Sequence, residues 1–186
     1  MILRRFAALW LVAVLCVVSG CIFSPNKKPP TIIPLPDYPK LINPYSVLDA
    51  LRLAYAAKDT NEIKLLYDKD NYVGTSFDAD DQSRLTFNWS DEVAHVAALA
   101  RHTTITSVVI SYPPSLVRYS DLADPPDWAT IELLRGSGYN VEISDQPTSW
   151  FLKADVRSAF KFIPKTPDPT SSTDTTWKIV RWSENH

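Results

Sequence analysis

The spacing of apolar residues changes near residue 103, and this change constrains the fold more than any other feature of the chain. Before it, apolar residues recur at helical spacing, as Val47, Leu48 and Leu51 do. After it, apolar and charged residues alternate, as in the run from Trp150 to Phe162, which is the pattern of a strand with one face in water. Such sheets are typically antiparallel. Helices followed by strands predict an α+β domain with a mainly antiparallel sheet.

Capping residues mark the starts of three predicted helices. Asn43 is a favoured N-cap, and the Pro after it suits the first helical position. Asp59 begins a capping-box pattern at the second helix. Ser90 is predicted to cap the third helix, with Asp91 and Glu92 in its first turn, where acidic groups favour the helix dipole. The predicted helices cover residues 44–58, 59–68 and 90–102.

Runs rich in β-branched and aromatic residues predict the strands. The Arg-Gly-Ser-Gly turn at 135–138 is expected to join two of them as a hairpin. The alternating run after Gln146 is interpreted as one long strand, with Trp150, Leu152 and Phe160 on the same face. The predicted strands cover residues 71–77, 103–112, 128–134, 139–144, 150–162 and 177–182.

The first 21 residues have the three parts of a secretory signal, namely basic residues Arg4 and Arg5, an apolar run from Phe6 to Val18, and small residues before Cys21. The apolar run is shorter than the roughly 20 residues that a membrane-spanning helix needs. Val-Ser-Gly-Cys at 18–21 resembles the lipobox of bacterial lipoproteins, which implies lipidation of Cys21 and removal of residues 1–20. The alternative is an ordinary signal that releases a soluble secreted product.

The resemblance to lipoproteins also predicts a location and a partner. In Gram-negative lipoproteins an Asp after the lipidated Cys favours retention in the inner membrane, and this chain has Ile22 there, which indicates the outer membrane. Residues 21–43 are rich in Pro and are predicted to form an extended tether. With Arg4 and Arg5 removed, the net charge falls from −2 to −4. The expected membrane contact is therefore the acyl chains, and no nucleic-acid partner is expected.

The element order, with three helices and a closing antiparallel sheet, resembles the NTF2-like superfamily, which includes SnoaL-like domains. The resemblance covers residues 44–183 and depends on Val-Leu-Asp-Ala-Leu at 47–51, Tyr55, Asp59 and the closing Trp-Lys-Ile at 177–179. It implies that residues 44–186 fold as three N-terminal helices packed on a curved, mainly antiparallel sheet around a cone-shaped pocket. It also implies isomerase or dehydratase activity in some members and homodimers through the sheet face.

His95 is the best candidate for a general base, because it lies on the third helix with Asp91 four residues earlier. The alternative is a solvent-facing His and acid pair, and no residue is assigned as catalytic. Dispersed His residues predict no metal site, and the few glycines form no phosphate loop, so no cofactor is expected. The residues predicted to line a pocket are Tyr55, Tyr67, His95, Tyr112, Trp128 and Trp150.

The function predicted from the sequence is a non-catalytic binding or assembly module, with an apolar small molecule or an envelope protein as the partner. The alternative is an isomerase-type or dehydratase-type enzyme that uses an acid and a base in the pocket. A buried polar pair with a shifted pKa would favour the enzyme, and a pocket filled by aromatic side chains or an exposed apolar patch would favour the module.

Overall fold

Three helices and nine strands lie in the part of the chain that the structure describes. The structure is a computed structural model, and it describes residues 34–134, 136–146, 157–165 and 175–185, with the backbone alone of residues 150–154. The helices are α1 (Pro44–Ala57), α2 (Thr60–Leu66) and α3 (Trp89–Arg101). The strands are β1 (Val73–Asp78), β2 (Ser83–Phe87), β3 (Ile105–Ser111), β4 (Arg118–Tyr119), β5 (Ala129–Leu133), β6 (Asn140–Asp145), β7 (Trp150–Ala154), β8 (Arg157–Lys165) and β9 (Thr176–Asn185).

Local capping explains where α1 and α2 begin. The Asn43 side chain accepts from the Ser46 amide at 2.9 Å, and the Ser46 hydroxyl accepts from the Asn43 amide at 3.2 Å, so the two residues satisfy each other. α1 ends at Lys58, which takes a left-handed φ of 54°. The Asp59 carboxylate accepts from the first amides of α2. The predicted starts of both helices are confirmed.

The predicted cap of α3 is wrong by two residues. Asn88, not Ser90, is the N-cap, and the helix begins at Trp89. The Asn88 side chain accepts from the amides of Ser90 and Asp91, while the Asp91 carboxylate accepts from the Asn88 amide at 2.8 Å. This reciprocal pair places the helix start earlier, because it satisfies more amides than a Ser90 side chain alone.

The strands form one sheet of six and one of three. The order in the larger sheet is β2-β1-β9-β8-β5-β4, and the order in the smaller is β3-β6-β7. Every pair is antiparallel except β1 and β9, which run parallel with Gly74 opposite Trp182. The mainly antiparallel prediction is therefore confirmed for the described strands. The short strands β2 and β4 were not predicted, since neither has an alternating apolar pattern.

Two predicted strand arrangements are wrong. The segments around the 135–138 turn do not pair as a hairpin, because β5 pairs with β4 and β8, whereas β6 pairs with β3 and β7. Gly136 and Gly138 take positive φ, and the turn leads the chain from one sheet to the other. The run 150–162 is likewise not one strand, since β7 belongs to the smaller sheet and β8 to the larger.

The core lies between α1 and the two sheets. Val47, Leu48, Leu51 and Ala54 are fully buried on α1, and Phe160 of β8 stacks on Trp182 of β9 with ring centroids 5.0 Å apart. Apolar side chains of β3, β5, β8 and β9 complete the buried cluster, among them Ile110, Ile131, Leu133, Phe162 and Ile179.

The compact unit that contains both sheets begins at Leu35, so residues 35–43, predicted as the end of the tether, lie on the domain. The Tyr38 hydroxyl donates to the Asp59 carboxylate at 3.1 Å, and the Leu41 carbonyl accepts from the Trp177 amide at 2.7 Å. The predicted signal, Cys21 and the first part of the tether lie outside the described residues. Among the helices that are described, none is long and apolar enough to cross a membrane.

Candidate functional site

A cavity of about 260 Å³ lies between α3 and the inner faces of both sheets. Residues from α1, α3 and five strands contribute to its walls. The lining residues are Tyr55, Gly74, Thr75, Ser76, Phe87, Asp91, Glu92, His95, Leu99, Val108, Ile110, Val141, Ile143, Trp182 and Glu184. His95 and Asp91 are exposed, so the cavity opens to solvent beside them.

One wall of the cavity is an apolar patch formed by β3 and β6. Val108 lies opposite Ile143 and Ile110 lies opposite Val141 in the antiparallel register, so all four side chains share one face. Leu99 of α3 also lines the cavity. The next residue of β3, Val109, points away and is 43 % exposed, whereas Val108 is 1 % exposed. The β3 pleat therefore separates a cavity face from a solvent face.

Glu92 is the buried acid of the cavity. It lies on the same helical stripe as Val96 and Leu99, and it is 9 % exposed. The Tyr72 hydroxyl donates to Oε1 of Glu92 at 2.7 Å, and the Tyr55 hydroxyl donates to Oε2 at 3.3 Å. Burial raises the pKa of the Glu92 carboxyl above its ordinary value of 4.5, and this outweighs the lowering by the two phenols and by His95.

The two phenols that contact Glu92 remain protonated donors. Burial and the charge of Glu92 raise the pKa of both Tyr55 and Tyr72 far above the ordinary value. Tyr55 is held between Trp182, at 6.2 Å between ring centroids, and His95, at 6.3 Å. The carboxylate therefore lies in a fixed aromatic setting and accepts two hydrogen bonds.

Gly74 leaves the space that Tyr72 needs to reach Glu92. A Cβ atom at this position of β1 would lie 2.6 Å from the Tyr72 hydroxyl and 3.3 Å from Oε1 of Glu92. Real Cβ atoms do not approach an oxygen that closely, so any larger residue must displace the phenol. The glycine is thus part of the geometry of the Tyr72 and Glu92 pair.

The structure brings two of the predicted pocket residues, Tyr55 and His95, to the cavity. Tyr67 is fully buried and packs against the Tyr72 ring at 4.5 Å between centroids. Tyr112 donates its hydroxyl to the Leu48 carbonyl at 3.1 Å. Tyr67 belongs to the buried core and Tyr112 packs against it, and neither lines the cavity.

Trp128 does not line the cavity either. The Arg181 guanidinium lies 5.5 Å from the centre of its ring. Since Trp182 lines the cavity and neighbouring residues of a strand point to opposite faces, Arg181 and Trp128 lie on the outer face of the larger sheet. Trp150 is in β7, and its side chain lies outside the described residues.

Sequence reasoning missed Glu92 and Tyr72 as site residues. It placed Glu92 in the first turn of the helix, as an acid that favours the helix dipole. The buried stripe is Glu92, Val96 and Leu99, and an acid on an apolar stripe was the available signal. Among the residues that the structure describes, no group of three or more His, Cys, Asp or Glu side chains could hold a metal ion.

Comparison with known proteins identifies the fold. No protein-family model matches the chain, and no curated protein matches it. An NTF2-like superfamily protein from Salmonella enterica matches with a TM-score of 0.51 at 9 % identity, over 74 % of this chain and 84 % of that one. An NTF2-like protein of unknown function in nutrient uptake from Rhodospirillum rubrum matches with a TM-score of 0.50 at 10 % identity, over 77 % of this chain and 97 % of that one. The chain therefore has an NTF2-like fold.

Proposed function

We propose that the chain is a lipoprotein of the bacterial outer membrane whose NTF2-like domain binds a small apolar molecule without catalysis. The observation that carries this proposal is the cavity of about 260 Å³ with its apolar β3 and β6 wall. Pockets for drug-sized ligands usually measure about 300–1,000 Å³. The expected ligand is accordingly small, with the size of a single substituted ring or a short branched chain.

Binding is proposed ahead of catalysis because the tyrosine hydroxyls of the site donate their hydrogen bonds to the protein itself. Tyr55 and Tyr72 both donate to Glu92, so in this arrangement neither phenol offers its proton to the oxygen of a substrate. A proton-transfer enzyme needs donors aimed at the charge that develops on its substrate. The two tyrosines instead stabilise the carboxylate of the protein itself.

The binding proposal is tested with two matched variants of one strand. Val108→Phe puts a ring into the cavity, whereas Val109→Phe puts the same ring into solvent. Phenethyl alcohol, a small neutral probe, is titrated into the full chain by calorimetry. We expect the natural chain and Val109→Phe to bind it with a negative heat-capacity change, and Val108→Phe to lose binding at least about tenfold. Equal binding by both variants, or none by the natural chain, contradicts the proposal.

A second candidate function is proton transfer by Glu92, as in an isomerase. The observation that favours it is the raised pKa of a carboxyl that lines the cavity near His95. The test is proton exchange next to the carbonyl of a small ketone, phenylacetone, in heavy water, followed by nuclear magnetic resonance. Exchange by the natural chain that Glu92→Gln abolishes and Asp70→Asn retains supports catalysis, and exchange at the buffer rate refutes it.

The lipid anchor is tested with the two cysteines as a matched pair. Cys21 is the proposed acceptor, and Cys16 lies inside the apolar run. We expect Cys21→Ser to lose incorporation of labelled palmitate and to leave the outer-membrane fraction, while Cys16→Ser keeps both properties. Unchanged labelling of Cys21→Ser contradicts the proposed anchor.

The proposed module can also bind a protein, either a partner in the cell envelope or a second copy of the chain on the sheet face. On the outer face of the larger sheet, Lys161 contacts Asp124 at 2.7 Å and Asp121 at 3.0 Å, so the segment containing these acids covers that region. Val117 and Leu122 of the same segment are exposed and would suit an apolar partner surface. Solution mass at several concentrations tests self-association.

A further inference from the structure

The charges that line the cavity have one predominant sign. Asp91, Glu92 and Glu184 supply three carboxyl groups, and the other titratable groups of the described lining are His95 and Tyr55. Neither Lys nor Arg occurs among the described residues of the lining. The acids come from two different elements, α3 and β9, so they flank the cavity and are not one exposed acidic turn.

The basic residues of the larger sheet lie on its other face. Trp182 and Glu184 are two residues apart on β9 and share the inner face, which leaves Arg181 on the outer face, where its guanidinium lies over the Trp128 ring. Lys161, opposite Arg181 in the register of β8 and β9, is paired with acids of the outer segment. The sheet therefore keeps these cations away from the cavity and presents Glu184 to it.

Aromatic rings also contribute to the walls of the cavity. Tyr55, Phe87 and Trp182 all line the cavity. The Trp182 indole donates to the Ser158 hydroxyl at 2.9 Å, which fixes the orientation of its ring. Ring faces attract cations, especially where water is excluded. Carboxylates and aromatic rings in one small cavity are complementary to a positively charged organic group.

We propose that the ligand of this cavity is a small organic cation, an amine that is protonated at neutral pH and carries an apolar body. This inference rests on the proposed binding function. The apolar body packs on the β3 and β6 wall, and the ammonium faces Glu92 and Glu184. A neutral ligand would leave the buried carboxylate without a countercharge, and an anionic ligand would place a like charge beside it. An ammonium supplies the countercharge and hydrogen-bond donors together.

The test compares two probes that differ in charge and hardly in shape. Phenethylamine carries an ammonium where phenethyl alcohol carries a hydroxyl, and alkyl amines titrate near pH 10, so the amine is charged at pH 7. We expect the full chain to bind the amine at least about tenfold more tightly than the alcohol. Glu92→Gln should remove most of this preference, and Asp70→Asn, a charge change on an exposed residue outside the lining, should retain it.

Glu184→Gln is the second variant, and it keeps the inference testable if Glu92→Gln fails to fold. Equal binding of amine and alcohol overturns the inference of a cation and leaves the proposed function intact. If neither probe binds, both the inference of a cation and the proposed function are overturned. A preference for the amine that survives in both the Glu92→Gln and Glu184→Gln variants also overturns the inference, because the carboxylates then do not supply the selectivity.

Discussion

Removal of single hydroxyl groups from the tyrosines around Glu92 tests the site directly. Tyr72→Phe and Tyr55→Phe each delete one oxygen and leave the ring in place. Both tyrosines are buried, at 4 % and 5 % exposure, so burial does not distinguish them. The hydrogen-bond distance does, because the Tyr72 hydroxyl lies 2.7 Å from Oε1 of Glu92 and the Tyr55 hydroxyl lies 3.3 Å from Oε2.

The expected cost follows from those distances. A hydrogen bond to a charged group contributes about 1.5–3 kcal/mol, and the strongest are shorter than about 2.8 Å. Tyr72→Phe also leaves one buried carboxylate oxygen without its partner. We expect Tyr72→Phe to lower the free energy of unfolding by about 2–3 kcal/mol and Tyr55→Phe by about 1 kcal/mol.

Urea denaturation at pH 7, followed by circular dichroism, measures these costs. Each tyrosine variant is also made in the Glu92→Gln background, which gives the coupling energy between the phenol and the carboxylate. Tyr112→Phe is the matched control, because its hydroxyl is buried but donates to the Leu48 carbonyl. Its coupling energy with Glu92 should be close to zero.

Two results would refute this reasoning. One is a cost for Tyr72→Phe that is unchanged in the Glu92→Gln background, since the phenol would then not be acting on the carboxylate. The other is a larger cost for Tyr55→Phe than for Tyr72→Phe, since the shorter contact would then not be the stronger one.

Three further variants test the fold around the site. Burial would raise the pKa of Asp68, but Lys165, at 2.7 Å, and hydrogen bonds outweigh burial and lower it. Asp68→Asn should therefore lower the free energy of unfolding by about 1–2 kcal/mol at pH 7. The natural chain should lose this stability as the pH falls below 3.8, whereas the variant should not. An equal acid sensitivity of the two chains contradicts this. Gly74→Ala should lower the free energy of unfolding by about 1–3 kcal/mol in urea, because its Cβ displaces Tyr72. Asn43→Ala should cost about 1 kcal/mol in the same assay, and no cost would contradict its role as a cap.

The helices were largely predictable because short-range contacts fix their ends. Asn43 and Ser46 satisfy each other across one turn, and Asp59 satisfies the amides just after it. The α3 cap was misplaced because Asn88 and Ser90 are both good N-caps, and only the reciprocal bond with Asp91 decides between them. The order of the elements, and the change from helical spacing of apolar residues to alternation, were enough to indicate an α+β domain.

The sequence by itself determined the three helices, the caps of α1 and α2 and the mainly antiparallel character of the strand pairing. Tertiary structure alone decided that β5 and β6 enter different sheets and that the run after residue 150 divides between them. Pairing depends on contacts between residues far apart in the chain, which local patterns do not encode. The same holds for the site, because Glu92 becomes a buried acid only when Tyr55, Tyr72 and the space beside Gly74 meet around it.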